Sequence, residues 1–184
     1  LSINGKNYEL LVDKLERLLS SKGIKNINLS AVGGPCLAPG LANRVHSSVV
    51  IANKNIDTAN SLSKILSTDY YHASASTDIS GVEVCAAIKN IFSMVIGAAS
   101  GLNKIKIKGN LYLNTSAALV KQSIYEMEVF VDFLKGKKET VKGLAGLGDL
   151  YVSAAGGRNS KMGAFIGEGI VFSEAKKNKM PNIT

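Results

Sequence analysis

The sequence predicts an α/β unit followed by an all-helical one, and three observations carry that expectation. Short β-favouring runs, "INLSAVGG", "SSVVIAN" and "YYHASAS", occur only in the first part of the chain. Long apolar patterns at helical spacing take over after about residue 76, where the boundary between the two units is expected. Of the 184 residues 46% are hydrophobic, enough for one good-sized core or two small domains.

Taken in order, residues 8–22, "YELLVDKLERLLSSK", place Leu11, Leu15, Leu18 and Leu19 at helical spacing and stop at Gly23, a helix with a glycine C-cap. The three strand runs follow, with a helix-like "IDTANSLSKILS" between the last two. The second unit reads as helices over 79–102 and about 114–135, with a third beginning near Asn159. No internal repeat or low-complexity segment interrupts it.

Composition narrows the function classes. Cys36 and Cys85 lie 49 positions apart without a CxxC pair, which indicates neither a disulfide framework nor a zinc site and fits a reducing, cytoplasmic setting. No metal is expected. The most apolar stretch, 79–102, carries Glu83 and Lys89, and residue 1 does not begin a signal peptide, so no membrane insertion is expected. The net charge of +8 is spread along the chain; its clusters, "KIKIKG" (104–109) and "KGKK" (135–138), lack interleaved aromatics and read as solvated surface rather than a nucleic-acid face.

Two stretches carry chemistry. Stepping 100° per residue from Glu83 gathers Lys89, Ser100, Ser93, Ala86, Gly97 and Asn90 into one arc of about 120°. Such small residues can seat a neighbouring helix, or they can floor a polar cleft in which the Lys89 ammonium meets an oxygen that gains or loses a proton. Further on, "AGGRNSK" sets a flexible Gly156-Gly157 turn before a helical pattern. That is either a plain helix cap or a phosphate site built from helix-start N–H groups and an arginine. The "GLAGLG" ahead of it has its glycines in the reverse spacing of GxGxxG, and GxxxxGK[ST] is absent.

The succession "GVEVCAAIKN", "GLAGLGDL", "GGRN" resembles the NAD(P)-dependent glycerol-3-phosphate dehydrogenase family, whose pattern runs GVExxxAxKN, GLAGxGDL, then [ST] and RN. "GGPCLA" (33–38), "NTSAALVKQSIYEM" (114–127) and Thr140 extend the resemblance over nearly the whole chain. It implies that Lys89 is the active-site lysine, with Asn90 beside it in the substrate pocket and Asp149 as the acid that orients the lysine. Ser153 stands where the family has Thr or Ser. Arg158 and Asn159 match the pair that holds the substrate phosphate, with Arg158 also reaching the cofactor, NAD or NADP.

The resemblance also sets the expected architecture. Residues 1–75 would be the last part of a Rossmann domain, and 76–184 most of a helical substrate domain like the C-terminal-domain fold of 6-phosphogluconate dehydrogenase, truncated at both ends. The family's glycine fingerprint and a second lysine upstream are not in these residues, so the 184 residues alone are expected to be inactive. Pro39 and Gly40 replace a basic and an acidic residue, and "KIKIKGNLYL" lengthens the loop before Asn114. The implied partners are a small phosphate-bearing substrate and further copies of the chain. The alternatives are a ketopantoate-type or other two-domain hydroxyacid reductase, and a non-catalytic basic binding module.

Overall fold

The first helix is capped from a distance. In the computed structural model, which describes residues 2–4, 7–106 and 113–181, α1 (Leu11–Ser21) has no side-chain cap of its own. Its free N–H groups at Leu11 and Val12 instead donate to the Glu83 carboxylate at 2.8 and 3.1 Å. Burial pushes the Glu83 carboxyl above its ordinary value, and those two amides oppose the shift. The expected glycine stop is present. Gly23 takes φ +78°, and the N–H groups of Ile24 and Gly23 donate to the Leu19 and Ser20 carbonyls, a Schellman ending. The leucine stripe is another matter: Leu11, Leu15 and Leu18 remain 54%, 45% and 44% exposed, and Val12 supplies the buried contact.

Ahead of α1, β1 (Ser2–Asn4) and β2 (Asn7–Glu9) pair antiparallel, a hairpin the sequence patterns did not announce. The three expected strands form one sheet in the order β3-β4-β5: β3 (Ser30–Gly33), β4 (Ser47–Asn53) and β5 (Tyr71–Ser76). Helix α2 (Ala38–Ala42) connects β3 to its antiparallel neighbour β4. Helix α3 (Ile56–Leu66) makes the crossover to the parallel strand β5, capped by the Asn55 side chain, which accepts from the Asp57 and Thr58 amides.

The sheet ends at Ser76 and α4 (Ile79–Lys106) begins three residues later. One apolar cluster runs straight across that point, joining Val12, Ala31 and Ala52 to Ile79, Val82 and Ala145. The larger core forms where Val84, Cys85, Ile88, Phe92 and Ile96 of α4 meet Met127 and Val131 of α5 (Leu113–Phe133). Val141 of α6 (Lys138–Lys142) and Leu150 of α7 (Asp149–Gly156) complete it. A π turn, Leu144–Gly148, separates α6 from α7, and α8 (Arg158–Gly167) and α9 (Phe172–Glu174) follow. Short α6, the π turn and α7 were not legible as separate elements. The lengthened loop before Asn114 lies mostly outside the described residues.

Helix α4 is long and apolar enough to cross a membrane, with mean hydropathy 1.6 over Ile79–Asn103. Here α5, α7 and α8 pack around it, so its apolar character is that of a central core helix. The thiol of Cys85 lies in this core, and burial, with Asp78 and Asp149 nearby, pushes its pKa up to about 12. It is a packing residue rather than a nucleophile.

Candidate active site

The helix-packing reading of the small-residue arc holds for the C-terminal part of α4. Toward the C-terminal end, a Cβ at Gly97 would overlap the Ser160 carbonyl and one at Gly101 the Ala164 carbonyl. From the other side, a Cβ at Gly163 would overlap the Met94 carbonyl and one at Gly167 that of Ala98. Two GxxxG pairs therefore let α4 and α8 touch backbone to backbone, running in the same direction, with Ser93 fully buried alongside. By that register the first turn of α8 lies beside the stretch of α4 just before Gly97.

Toward the N-terminal end the arc carries the charged pair. Lys89 Nζ lies 2.5 Å from Asp149 Oδ2, with the two side chains 20% and 8% exposed. Asp149 is the first residue of α7, delivered there by the π turn, whose Gly148 amide donates five residues back to the Gly143 carbonyl. Burial raises the Asp149 carboxyl above its ordinary value; the hydrogen bond and charge of Lys89 and the backbone amide of Gly34 pull the other way. An ammonium held this way is oriented and kept from wandering into solvent. Farther up the arc, Glu83 and Ala86 line a cleft of about 380 Å³ against Leu11 and β3.

Gly34 is a member of the site that the sequence reading did not single out. It sits at φ +141°, and a Cβ there would stand 2.9 Å from Val49 Cα and 3.0 Å from the Ser48 carbonyl. Only glycine fits, and its amide brings the sheet to the acid. The next residue, Pro35, packs on Gly148.

Asp78 was missed too. It is 5% exposed and accepts from the Gly81 amide at 2.9 Å, the Lys137 amide at 2.9 Å and the Thr140 hydroxyl at 2.5 Å. It thus caps α4 while tying it to α6, which leads into the π turn and Asp149. An acid just ahead of an apolar helical run was the available signal.

Among the described residues, none of the remaining expected side chains hydrogen-bonds to the pair. Asn90 follows Lys89 and is exposed; Ser153, one turn after Asp149 on α7, is half-buried. Arg158 and Asn159 open α8, exposed and half-buried respectively. None of these four side chains makes a hydrogen bond among the described residues. The expected flexible turn is shorter than anticipated: Gly156 ends α7, and Gly157 alone separates it from α8, at φ −68° with its amide on the Ser153 carbonyl. Helix α8 starts there without a side-chain cap, so its first amides point outward beside Arg158.

A family model described as the C-terminus of NAD-dependent glycerol-3-phosphate dehydrogenase matches residues 78–183. The chain belongs to this dehydrogenase family. The NADP(+)-dependent glycerol-3-phosphate dehydrogenase of Archaeoglobus fulgidus is 34% identical over 146 residues, covering 79% of this chain and 43% of the relative. The glycerol-3-phosphate dehydrogenase [NAD(P)+] of Phytoplasma mali is 31% identical over 181 residues, covering 97% and 52%. The chain spans about half the length of these curated relatives.

Among solved structures, the Coxiella burnetii glycerol-3-phosphate dehydrogenase superposes with a TM-score of 0.77 at 30% identity, over 89% of this chain and 49% of that one. That coverage exceeds the helical part alone, so the likeness to the dehydrogenase takes in part of the sheet as well. The family match does not favour a ketopantoate-type reductase or a binding module.

Proposed function

We propose that the protein interconverts sn-glycerol 3-phosphate and dihydroxyacetone phosphate by hydride transfer with NAD or NADP. The observation that carries this reading is the contact between Lys89 and Asp149, made by the two motifs that the dehydrogenase family would place at its active site. Residues 1–75 are then the last part of a Rossmann domain, and 76–184 a helical substrate domain of the type found at the C-terminus of 6-phosphogluconate dehydrogenase.

The chemistry asked of the residues is simple. A bound nicotinamide supplies or accepts the hydride. When the ketone carbon is reduced, its oxygen gains alkoxide character, and the Lys89 ammonium stabilises that charge by hydrogen bonding and donates the proton. In the reverse direction the lysine takes the hydroxyl proton back. Asp149 holds the lysine in one orientation.

Arg158, Asn159 and the uncapped amides at the start of α8 bind the substrate phosphate, with Asn90 and Ser153 completing the pocket. The phosphate is a remote anchor whose binding energy positions the carbonyl. Arg158, exposed and with no side-chain partner among the described residues, also fits a polar group of the dinucleotide. The 184 residues hold no GxGxxG, so they are not expected to turn over by themselves.

The net charge of +8 favours approach of anionic ligands. The working form is a homo-oligomer in the cytoplasm. In support, Ile91, Phe130 and Phe133 are 64%, 49% and 67% exposed around one apolar cleft between α4 and α5.

Oxidation of NADH or NADPH by the full-length protein, with dihydroxyacetone phosphate as the acceptor, tests the reading. Substrate-dependent oxidation is expected, lost when the phosphate is omitted from the substrate. Equal turnover with unphosphorylated dihydroxyacetone would defeat the phosphate assignment.

A further inference from the structure

The chain has two histidines, and the fold brings them together away from Lys89. His46 immediately precedes β4, and His72 is the second residue of β5. The parallel register sets Ser48 opposite His72. His46 shares the parity of Ser48, so both imidazoles stand on one face of the sheet at diagonal positions. His46 Nδ1 and His72 Nε2 are 3.0 Å apart, with ring centroids 5.3 Å apart and planes inclined by 19°. Both side chains are exposed.

We propose that this pair is a surface site for one divalent transition-metal ion, copper(II) or nickel(II) in preference to zinc. As a hydrogen bond, the contact needs a proton on one nitrogen and a lone pair on the other. A metal ion displaces that proton to solvent and, standing to one side of the line between the nitrogens, uses both lone pairs.

The separation is compatible with one geometry more than another. Two imidazole nitrogens each about 2.05 Å from a common ion stand about 2.9 Å apart at a right angle and about 3.3 Å apart at a tetrahedral angle. At 3.0 Å the pair lies nearer the first value, the cis angle of square-planar or octahedral copper(II) and nickel(II). Copper(II) is also the strongest binder of the divalent series at nitrogen sites. Magnesium and calcium, which take oxygen ligands, are excluded.

The backbone holds the two residues side by side. The Ser47 amide donates to the Tyr70 carbonyl at 2.8 Å, extending the β4–β5 ladder to the level of the pair. The Thr68 hydroxyl oxygen accepts from the Tyr70 and Tyr71 amides, fixing the turn into β5. An ion bound here joins the start of β4 to the start of β5, with its outward positions left to water or an exogenous ligand. Nothing in the proposed catalysis uses either histidine.

Titration of the tag-free protein with copper(II) sulfate and nickel(II) chloride, by calorimetry and thermal unfolding, tests the site. One ion per chain is expected, with a raised Tm at saturation. His46→Asn and His72→Asn should each weaken binding by about tenfold or more, while Cys36→Ser leaves it unchanged. No stoichiometric binding, equal affinity in the double histidine variant, or loss in Cys36→Ser would overturn the proposal.

Should a variant fail to fold, the copper(II) electron-spin spectrum of the unaltered protein decides instead. Coupling to two imidazole nitrogens supports the site, because the chain has no other histidine to supply them. Coupling to fewer than two overturns it.

Discussion

The two ends of α4 use the same kind of residue for opposite purposes. Around Gly97 and Gly101, small residues remove every atom between two helices, so that carbonyl meets Cα. Toward the N-terminal end, the same arc carries a lysine that meets a carboxylate partner. One end is defined by what cannot be inserted, the other by what has been. The difference lies in the neighbours: α8 presents glycines of its own, whereas α7 presents Asp149.

That contrast can be attacked from both ends. The largest effect is expected at the open end: Lys89→Ala should lower kcat by about 10²–10⁴-fold and, by leaving the buried Asp149 carboxyl without its partner, also lower stability toward urea; an unaltered kcat would remove the lysine from the mechanism. At the closed end, Gly97→Ala trades a helix-propensity gain of at most about 1 kcal/mol for overlap with the Ser160 carbonyl. A net loss of about 2–3 kcal/mol on denaturant unfolding is expected, and a neutral result would show that the seam yields.

Gly34→Ala forces a side chain into a left-handed conformation beside Val49. It should cost about 1–3 kcal/mol and also lower activity, because the amide serving Asp149 would shift. Stability loss with full activity would separate the sheet from the site.

A smaller, pH-dependent effect comes from Asp149. Its folded-state pKa is raised above the ordinary 3.8, chiefly by burial, so the native chain binds that proton more tightly than the unfolded one. The resulting stability is fully present below 3.8 and is lost as the pH rises through the raised value. The unfolding free energy of the unaltered protein minus that of Asp149→Asn should therefore decline with pH across this window, and a rising difference would reverse the assignment. Smallest of all, Gly156→Ala meets nothing within 4 Å and should be neutral or stabilising by up to about 1 kcal/mol.

Local patterns were legible and distant partners were not. The Gly23 stop, the three strands and the crossover helix could be read because each depends on neighbours in sequence. Lys89 and Asp149 stood out because each sits in a compact motif. The leucine stripe of α1 shows the limit: periodicity located a helix, but it did not say that Leu11, Leu15 and Leu18 would remain exposed while Glu83, over 70 positions away, capped the helix. The π turn has no sequence period to betray it. Asp78 carried at most a helix-cap signal that went unread, and its second task, holding Thr140 and Lys137, depends on a contact about 60 residues away.

The glycine seam between α4 and α8 has a mechanical consequence. A joint made of backbone has no rotamers to sample, so it has a single setting and gives up no side-chain freedom on closing. The spacing between the lysine-bearing helix and the cationic start of α8 is thus fixed like a bolted bracket. Any adjustment on that side of the site falls to the one-residue articulation at Gly157.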